Sequence, residues 1–521
     1  MQETMAPIHR VSKKYDENIA ILKEELGIGV SFDVVLREFE IGGKKAAFIF
    51  VDGMIKDIPF VEIMQNFVKL DRGDITPNTL HKLLNRYVTY VKAAPTEKIE
   101  DIVSKVLSAF MVLIVDGLDE AILIEARQYP ARGPEEPDIE RVVRGSRDGF
   151  TETLQFNSAL LRRRLRDPKL RIEALQAGAR SKSDIAVAYI KDIANPELVK
   201  TIKDRIKDIK IDGLPMAEKS VEEFITTNNW NPLPQVRYTE RPDVAAIHLL
   251  EGHILIMVDT SPSVIIAPTT YFHHLQHAEE YRQNAAVGAY LRWVRFAAVM
   301  ASIFLLPLWY LVVIQPQLLP ETLKFIGPAE EAKVPLIWQF LAAEIGLDMI
   351  RMSAIHTPSP LATALGLIAA FMIGDVAINV GLFTPEVVLY LAVSAVGTFA
   401  TPSYELGMAN RLFRLFLLIM VALLKLPGFL IGIGAILLLL AITKPFGIPY
   451  LWPVIPFNAK ALKAILVRSP VPIHNTRPSI LKPQDRSRQP GLSPARKPLG
   501  KGEKDRGKDK GEKNDEKENG K

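Results

Sequence analysis

The sequence predicts a two-lobed cytoplasmic α/β domain joined to a multi-pass α-helical membrane domain, with a disordered, charged C-terminal tail. Three shifts along the chain carry that expectation. Up to about residue 283, short β-rich and helix-like runs are mixed with charge, as in soluble proteins. From Phe296 to about Thr443 charge thins out and apolar runs long enough to cross a bilayer dominate. From about Asn458 the chain is polar and basic, and beyond Leu499 it holds no large apolar residue. The expected divisions are an N-terminal extension (1–27), a first lobe (28–194), a second lobe (195–290), a membrane domain of about four spans (291–457) and a basic tail (458–521).

The 521 residues suffice for more than one domain with its own core. There is no cysteine, which excludes disulfides, thiolate nucleophiles and cysteine metal sites. The opening "MQETMAPIHRVSKKYDEN" lacks a basic region followed by an apolar core, so it does not read as a secretory signal. The lobes are therefore expected to stay in the cytoplasm. A formal net charge of +5 is modest and points to no nucleic-acid partner.

In the first lobe, "KAAFIFVDGMI" (Lys45–Ile55) is β-rich and holds an Asp-Gly turn. "IPFVEIMQNFVKL" and "TPNTLHKLLNRYVTYVKA" have helical spacing, the second with Thr76 as N-cap before Pro77. "AFMVLIVDGLDEAILIEARQY" reads as a hairpin, and so does "HILIMVDTSPSVIIAPTT" (His253–Thr270) further on. Between them, "NPELVKTIKDRIKDIKID" reads as an amphipathic helix starting near Asn195. An apolar run ending in Val-Asp-Gly or Val-Asp-Thr recurs at Val51, Val115 and Val258. It reads either as a repeated α/β unit or as the ordinary preference of Asp and Gly for turns.

The segment Val142–Glu173 is the most unusual of the soluble half. Thr151 can cap a helix with Leu154, Leu160, Leu161 and Leu165 on its apolar side. Arg162, Arg163, Arg164 and Arg166 follow, and Asp167-Pro168 ends the helix. Four cations in five positions make a candidate docking site for phosphates, acidic surfaces or lipid headgroups, or else a solvated helix end whose charge suits the dipole. "GSRDG" lacks the phosphate-loop pattern.

Candidates for catalysis are weak. His273 and His277 lie four apart and can face one metal, while His248 and His253, five apart, leave one helical face. No zincin pattern accompanies either pair, and Asp259-Thr260-Ser261 lacks a nucleophile elbow. Neither enzyme activity nor a metal or other cofactor is expected.

In the membrane half, Phe296–Ile314 is a first span, with Arg292 and Arg295 placing its start in the cytoplasm. "VPLIWQFLAAEIGLDMIRMSAIHTP" puts Glu344, Asp348 and Arg351 on one helical face, either as an interfacial or re-entrant helix or as a surface helix pairing its own charges. Leu361–Phe383 is a second span carrying Asp375 and Asn379. A carboxylate there costs about 2.5–3.5 kcal/mol on insertion scales, so it faces protein or water. "EVVLYLAVSAVGTFA" is a third, short run. Next comes "GTFATPSYELGMANRLFRLF", with Pro402, Glu405, Arg411 and Arg414 amid apolar residues. Pro402 predicts a break there, either between membrane segments, where broken backbone survives only against protein or water, or as a plain interfacial loop with snorkelling arginines. The last apolar run holds Lys425 and Pro427 in its middle and reads as one kinked span or two short segments, with Gly428 and Gly432 as a small-residue pair. Lys460, Lys463 and Arg468 after it place the C-terminus in the cytoplasm. The candidate intramembrane or pore-lining groups are therefore Glu344, Asp348, Asp375, Asn379, Glu405 and Arg411.

Four stretches together, "RGSRDGFTETLQFNSALLRRRLRDPKL", "GHILIMVDTSPSVIIAPTTYFHHLQHAEEY", "ATPSYELGMANRLFRL" and "FGIPYLWPVIPFN", resemble the GerA family of spore germination proteins, and within it a sporulation branch more than the receptor A subunits. The resemblance runs from roughly Phe32 to Arg488 and leaves out the charged tail. It implies an integral protein of the inner spore membrane in which a two-lobed cytoplasmic domain is paired with membrane helices. It further implies homo-oligomers that act as cation channels in germination, working beside other germination membrane proteins or receptor subunits. A non-conducting scaffold for germinant receptors is the alternative reading.

Overall fold

The computed structural model describes residues 9–489 except 89–91, 130–139, 141, 329–331, 357–375, 469 and 471–474. The charged tail, Asp375 and most of the expected span Leu361–Phe383 lie outside the described residues.

The first lobe is built on strands β1 (Val34–Ile41), β2 (Lys44–Val51), β3 (Ala93–Thr96), β4 (Met111–Val115) and β5 (Ala121–Ile124), in the antiparallel order β1-β2-β4-β5-β3. Side chains alternate across a strand, so β2 serves two cores. Ala47, Ile49 and Val51 face helices α1 (Tyr15–Leu26) and α3 (Ile99–Val106), burying Leu22, Leu26, Ile102 and Val106. Phe48 and Phe50 face α2 (Asp57–Val68), burying Ile63 and Phe67. Thr76 is not an N-cap. The Thr76–Pro77 bond is cis, and the short helix Thr79–Lys82 begins after Asn78, whose backbone is left-handed.

The second lobe repeats the plan. Strands β6 (Leu170–Ala177), β7 (Ser183–Ile190), β8 (Arg237–Thr239), β9 (Ile254–Val258) and β10 (Val264–Ala267) take the order β6-β7-β9-β10-β8. Helices α4 (Leu154–Arg164) and α7 (Pro242–Glu251) cover one face, and α5 (Pro196–Lys207) and α6 (Ala217–Ile225) the other. The N-cap of α5 is Asn195, whose side chain accepts from Glu197 N. Both expected hairpins form, as β4–β5 and β9–β10. Val115 and Val258 end strands of equal rank in the two sheets. Each is followed two residues on by a left-handed residue, Gly117 (φ 80°) and Thr260 (φ 71°). Val51 ends β2 instead. The recurring tripeptide is thus partly a structural repeat and partly turn chemistry. The expected division at Asn195 falls inside the second sheet, because β6 and β7 precede it and β7 pairs with β9.

The helical portion begins with α8 (Ala285–Ile314), continuous through Pro307, and continues with α9 (Leu336–His356), α10 (Pro385–Phe399) and α11 (Tyr404–Ile442). Along α11 the backbone leaves the helical region at Lys425 (φ 54°, ψ −133°). The chain reverses there. A Cβ on Gly432 would lie 2.6 Å from Leu417 Cδ2, and one on Gly428 would meet Met420 O. Ile436 and Leu440 share a core with Leu406, Ala409, Phe413 and Leu417. The apolar run is therefore two antiparallel arms, 404–424 and 426–442, about 31 and 26 Å long at ~1.5 Å per residue. Pro427 sits in the first turn of the second arm, where its missing N–H costs nothing.

Both ends of this hairpin face the second lobe, while its tip meets the far end of α8. Leu426 N donates to Gln315 Oε1 (3.1 Å), and Asn231 Nδ2 of the second lobe donates to Thr443 Oγ1 (2.9 Å). Helix α9 runs opposite to the first arm. Its start packs Phe340 on Trp309 and Tyr310, and its later part puts Arg351 over the Tyr404 ring (4.5 Å). Trp309 and Tyr310 are buried. The described helices make five passes; α9 and α10 run parallel, with Thr384 N at the start of α10 donating to Gln339 Oε1 at the start of α9 (2.8 Å), and the other successive passes reverse direction. Among the described residues, two helices, α8 and α11, are long and apolar enough to cross a membrane, α11 being the one that reverses.

Candidate functional site

Four charged side chains meet between α9 and the first arm of α11. Arg411 and Arg414 are three apart and share a helix face; Glu344 and Asp348, four apart, do the same on α9. Antiparallel packing brings the two faces together. Arg411 Nε donates to Glu344 Oε2 (2.9 Å) and its Nη2 to Glu344 O (2.6 Å). Arg414 donates to both oxygens of Glu344, from Nε (2.6 Å) and Nη2 (3.0 Å). Arg411 Nη1 also pairs with Asp348. The remaining donor edge of Arg414 reaches Ser302 O on α8 (2.7 Å) and Thr398 Oγ1 on α10 (3.4 Å). Two carboxylates thus face two guanidiniums, and four helices are tied at one level. Glu344 and Arg414 are each 1% exposed, so water satisfies neither. The set is neutral and hydrogen-bonded, which is the condition for charge to stay buried. It offers a clamp, with no nucleophile and no open ligand position.

Of the candidate polar groups, the structure gathers Glu344, Asp348 and Arg411. It adds Arg414, which is outside the candidate group although its spacing of three from Arg411 signals a shared helix face. Asn379 is exposed elsewhere, in the short helix Ala377–Asn379, and Asp375 lies outside the described residues. Glu405 does not meet Arg411. It accepts from Ser403 Oγ (2.9 Å), while Ser403 also caps α11 by accepting from Leu406 N. The expected break at Pro402 is the turn between α10 and α11. Pro402, Ser403, Tyr404 and Glu405 line a small cleft against Arg237, Tyr238 and Thr239 of β8. Burial, then the carboxylates Glu222 and Glu405, push the Tyr238 phenol upward, so it stays a donor to Glu222.

The arginine cluster has divided roles. Arg162 is fully buried and holds Asp33 of the first lobe through Nε (2.9 Å) and Nη2 (3.1 Å), so it is unavailable for docking. Beside it, Phe32 N donates to Ile172 O (3.0 Å), joining the lobes through backbone. Arg164 pairs with Asp148, Arg163 lies over the Tyr129 ring (4.8 Å), and Arg166 reaches Ser108 and Tyr129. Docking chemistry is left to the exposed Arg163 and Arg166.

His273 and His277 do not converge on one site. His277 caps a short helix by accepting from Glu279 N. His273 instead joins His248 and His253, with ring centroids 5.0–6.2 Å apart, and Glu251, His253 and His273 bring ligand-type atoms within 4.8 Å of one another. His253 Nδ1 donates to Pro268 O and His248 Nδ1 to Val244 O, leaving a lone pair on each Nε2. His273 Nδ1 accepts from Thr270 N, so its Nε2 carries a proton and is a donor in the neutral ring. A metal would need that proton displaced. Burial holds His253 down at about 4 and His274 at about 3, and keeps His248 and His273 well below the ordinary range.

The family model described as Bacillus/Clostridium GerA spore germination protein matches residues 20–480. The chain belongs to the GerA family. It is 48% identical over 481 residues to stage V sporulation protein AF of Bacillus subtilis (strain 168), covering 92% of this chain and 98% of that one. It is 28% identical over 495 residues to spore germination protein KA of the same organism, covering 94% of this chain and 90% of that one. The crystal structure of the N-terminal domain of the A subunit of the Bacillus megaterium spore germinant receptor GerK3 is 29% identical, covering 51% of this chain and 99% of its own, with a TM-score of 0.41. The buried clamp and both sheets lie inside the matched region.

Proposed function

We propose that this GerA-family chain is an integral protein of the inner spore membrane that acts in germination as a subunit of an oligomeric cation-releasing channel. Both ends of its helical bundle would lie on the cytoplasmic side with the lobes. The observation that carries the membrane reading is the inverted polarity of the bundle. Its charges are neutralised inside, and large apolar side chains such as Leu412, Leu423, Leu430, Leu437 and Leu438 are exposed. If the span starts at Phe296, the level of Ser302 is about 9 Å into a helix of about 27 Å. The clamp then lies at membrane depth, where pairing is obligatory.

The ion path in this reading forms between copies. Glu344, Arg411 and Arg414 hold the helices, while Asp375, Asn379 and the half-exposed edge of Asp348 are the groups for a path. The Pro402–Glu405 turn on β8 gives the lobes a mechanical hold on the first arm. Germination membrane proteins of the kind named among its relatives, including receptor subunits, are the partners proposed; no catalytic step is. A second reading, a non-conducting scaffold, draws support from the clamp itself, because its charges are spent on one another. The higher identity to the stage V protein than to protein KA favours that branch over a receptor A subunit.

Cation efflux from germinating spores carrying Asp375→Ala at normal protein level tests the channel reading. Slowed efflux supports it, and efflux at the parental rate assigns the chain to the scaffold role.

A further inference from the structure

A cavity of about 700 Å³ lies between the second lobe, the start of α8 and the segment that follows α11. It is lined by seven Lys or Arg side chains and one acid, Glu251. Three of the seven are spoken for: Arg292 by Glu280, Arg477 by Asp485 and Arg488 by Glu251. Lys460, Lys463 and Arg486 make no ion pair among the described residues, and neither does Arg468. Arg468 is 8% exposed and, among the described residues, donates only to the carbonyls of Gln283 (from Nη1) and Tyr281 (2.9 Å, from Nη2), its buried Nε meeting no partner there. A buried guanidinium edge without an acceptor, beside three unpaired cations, is a site short of an anion.

The surroundings say which anion. Arg292 stands four residues before Phe296, where the apolar run of α8 begins. Tyr290 and Trp293 beside it are exposed, as are Ile455 and Phe457 just before helix α12 (Ala459–Leu466), which carries Lys460 and Lys463. Exposed aromatics next to a basic pocket at a span's end mark headgroup depth. We propose that this cavity binds the phosphate of an anionic phospholipid headgroup, with Arg468 as the buried donor and Lys460, Lys463 and Arg486 around it. The inference rests on the reading that α8 crosses a membrane. Fixed cations close to one another favour a phosphate over a zwitterionic headgroup, whose own cation they would repel.

The test is thermal unfolding of the full chain in detergent with added phosphatidylglycerol, phosphatidylcholine or inorganic phosphate. Phosphatidylglycerol should raise the midpoint by about 2–4 °C, as for a ligand held in large excess over its dissociation constant. Phosphatidylcholine should leave it unchanged. Arg468→Gln and the surface pair Lys460→Gln/Lys463→Gln should each lose at least half of the shift; the surface pair covers the case in which the buried substitution unfolds the chain. A full shift retained in the surface pair, or an equal shift with phosphatidylcholine, overturns the site. A shift produced by inorganic phosphate alone and lost in the variants overturns the lipid as source and assigns the site to a soluble phosphoester. Alkaline carbonate extraction of cell membranes tests the membrane reading separately. A chain that washes off refutes that reading, whereas a retained chain without a phosphatidylglycerol shift refutes only the site.

Discussion

Glu344→Gln is the substitution that weighs most on the helical bundle. Glu344 accepts three guanidinium hydrogen bonds, one from Arg411 and two from Arg414, and its carboxylate is 1% exposed. The amide keeps one acceptor oxygen but turns a donor toward a guanidinium. It also leaves two buried cations with Asp348 as the one carboxylate of the set. Breaking a buried pair on one side costs about 3–5 kcal/mol, against about 5–15 kcal/mol for a whole domain. The chain should therefore unfold far more readily in detergent, and its level in cells should fall. Arg414→Gln should cost a similar amount. The double variant restores charge balance, so the cycle should show a coupling of about 1–3 kcal/mol. Unfolding within about 0.5 kcal/mol of the parent, or strictly additive single effects, would falsify the clamp. Altered ion flux at parental stability would move Glu344 from the scaffold of the bundle to the path.

Three further outcomes follow from the lobes. Arg162→Met strands Asp33 without its buried partner and should cost about 3–5 kcal/mol, read as a lower midpoint in chemical denaturation; a loss below about 1 kcal/mol would mean that the other contacts between the lobes hold them without this pair. Thr260→Gly relieves a left-handed, exposed β-branched residue at the position where the first lobe has Gly117, and should raise stability by about 0.5–1 kcal/mol in the same assay. His253 is neutral when folded down to about pH 4, whereas the unfolded ring takes up a proton near 6.5. The unfolded state thus binds more protons between those values, so stability should fall as pH drops from about 6.5 to 4, by on the order of 3 kcal/mol from this group. His253→Gln should flatten that slope, which a melting series across the pH range reads directly.

Much of the lobes was legible because their signals are local. The Val-Asp-Gly and Val-Asp-Thr turns announced β4–β5 and β9–β10, and Asn195-Pro196 announced α5. What escaped was pairing between distant segments. Nothing near Asn195 tells that β7 pairs with β9 some seventy residues later, so the lobe division was placed too late. The cluster Arg162–Arg166 looked uniform, yet burial sorts it residue by residue, with Asp33 claiming Arg162. The reversal at Lys425 was half legible. Pro427 and the glycines marked a discontinuity, but a kink and a hairpin share that signature until Leu440 is seen against Leu406. The clamp shows the same limit. Each helix face displayed its charges at i, i+3 or i, i+4, but that two faces meet is tertiary information. The histidine pair failed for the opposite reason: His273 lies in a 3-10 turn, Tyr271–Leu275, that ends before His277, and the α-helix starts only after His277, so the two never share a helical face.

Single-channel recording from the purified full chain in planar bilayers tests the central claim most directly. The account predicts cation-selective conductance steps that appear with the oligomer and diminish in Asp375→Ala at equal protein incorporation. Silence in every oligomeric state, from protein verified as folded and inserted, would contradict it.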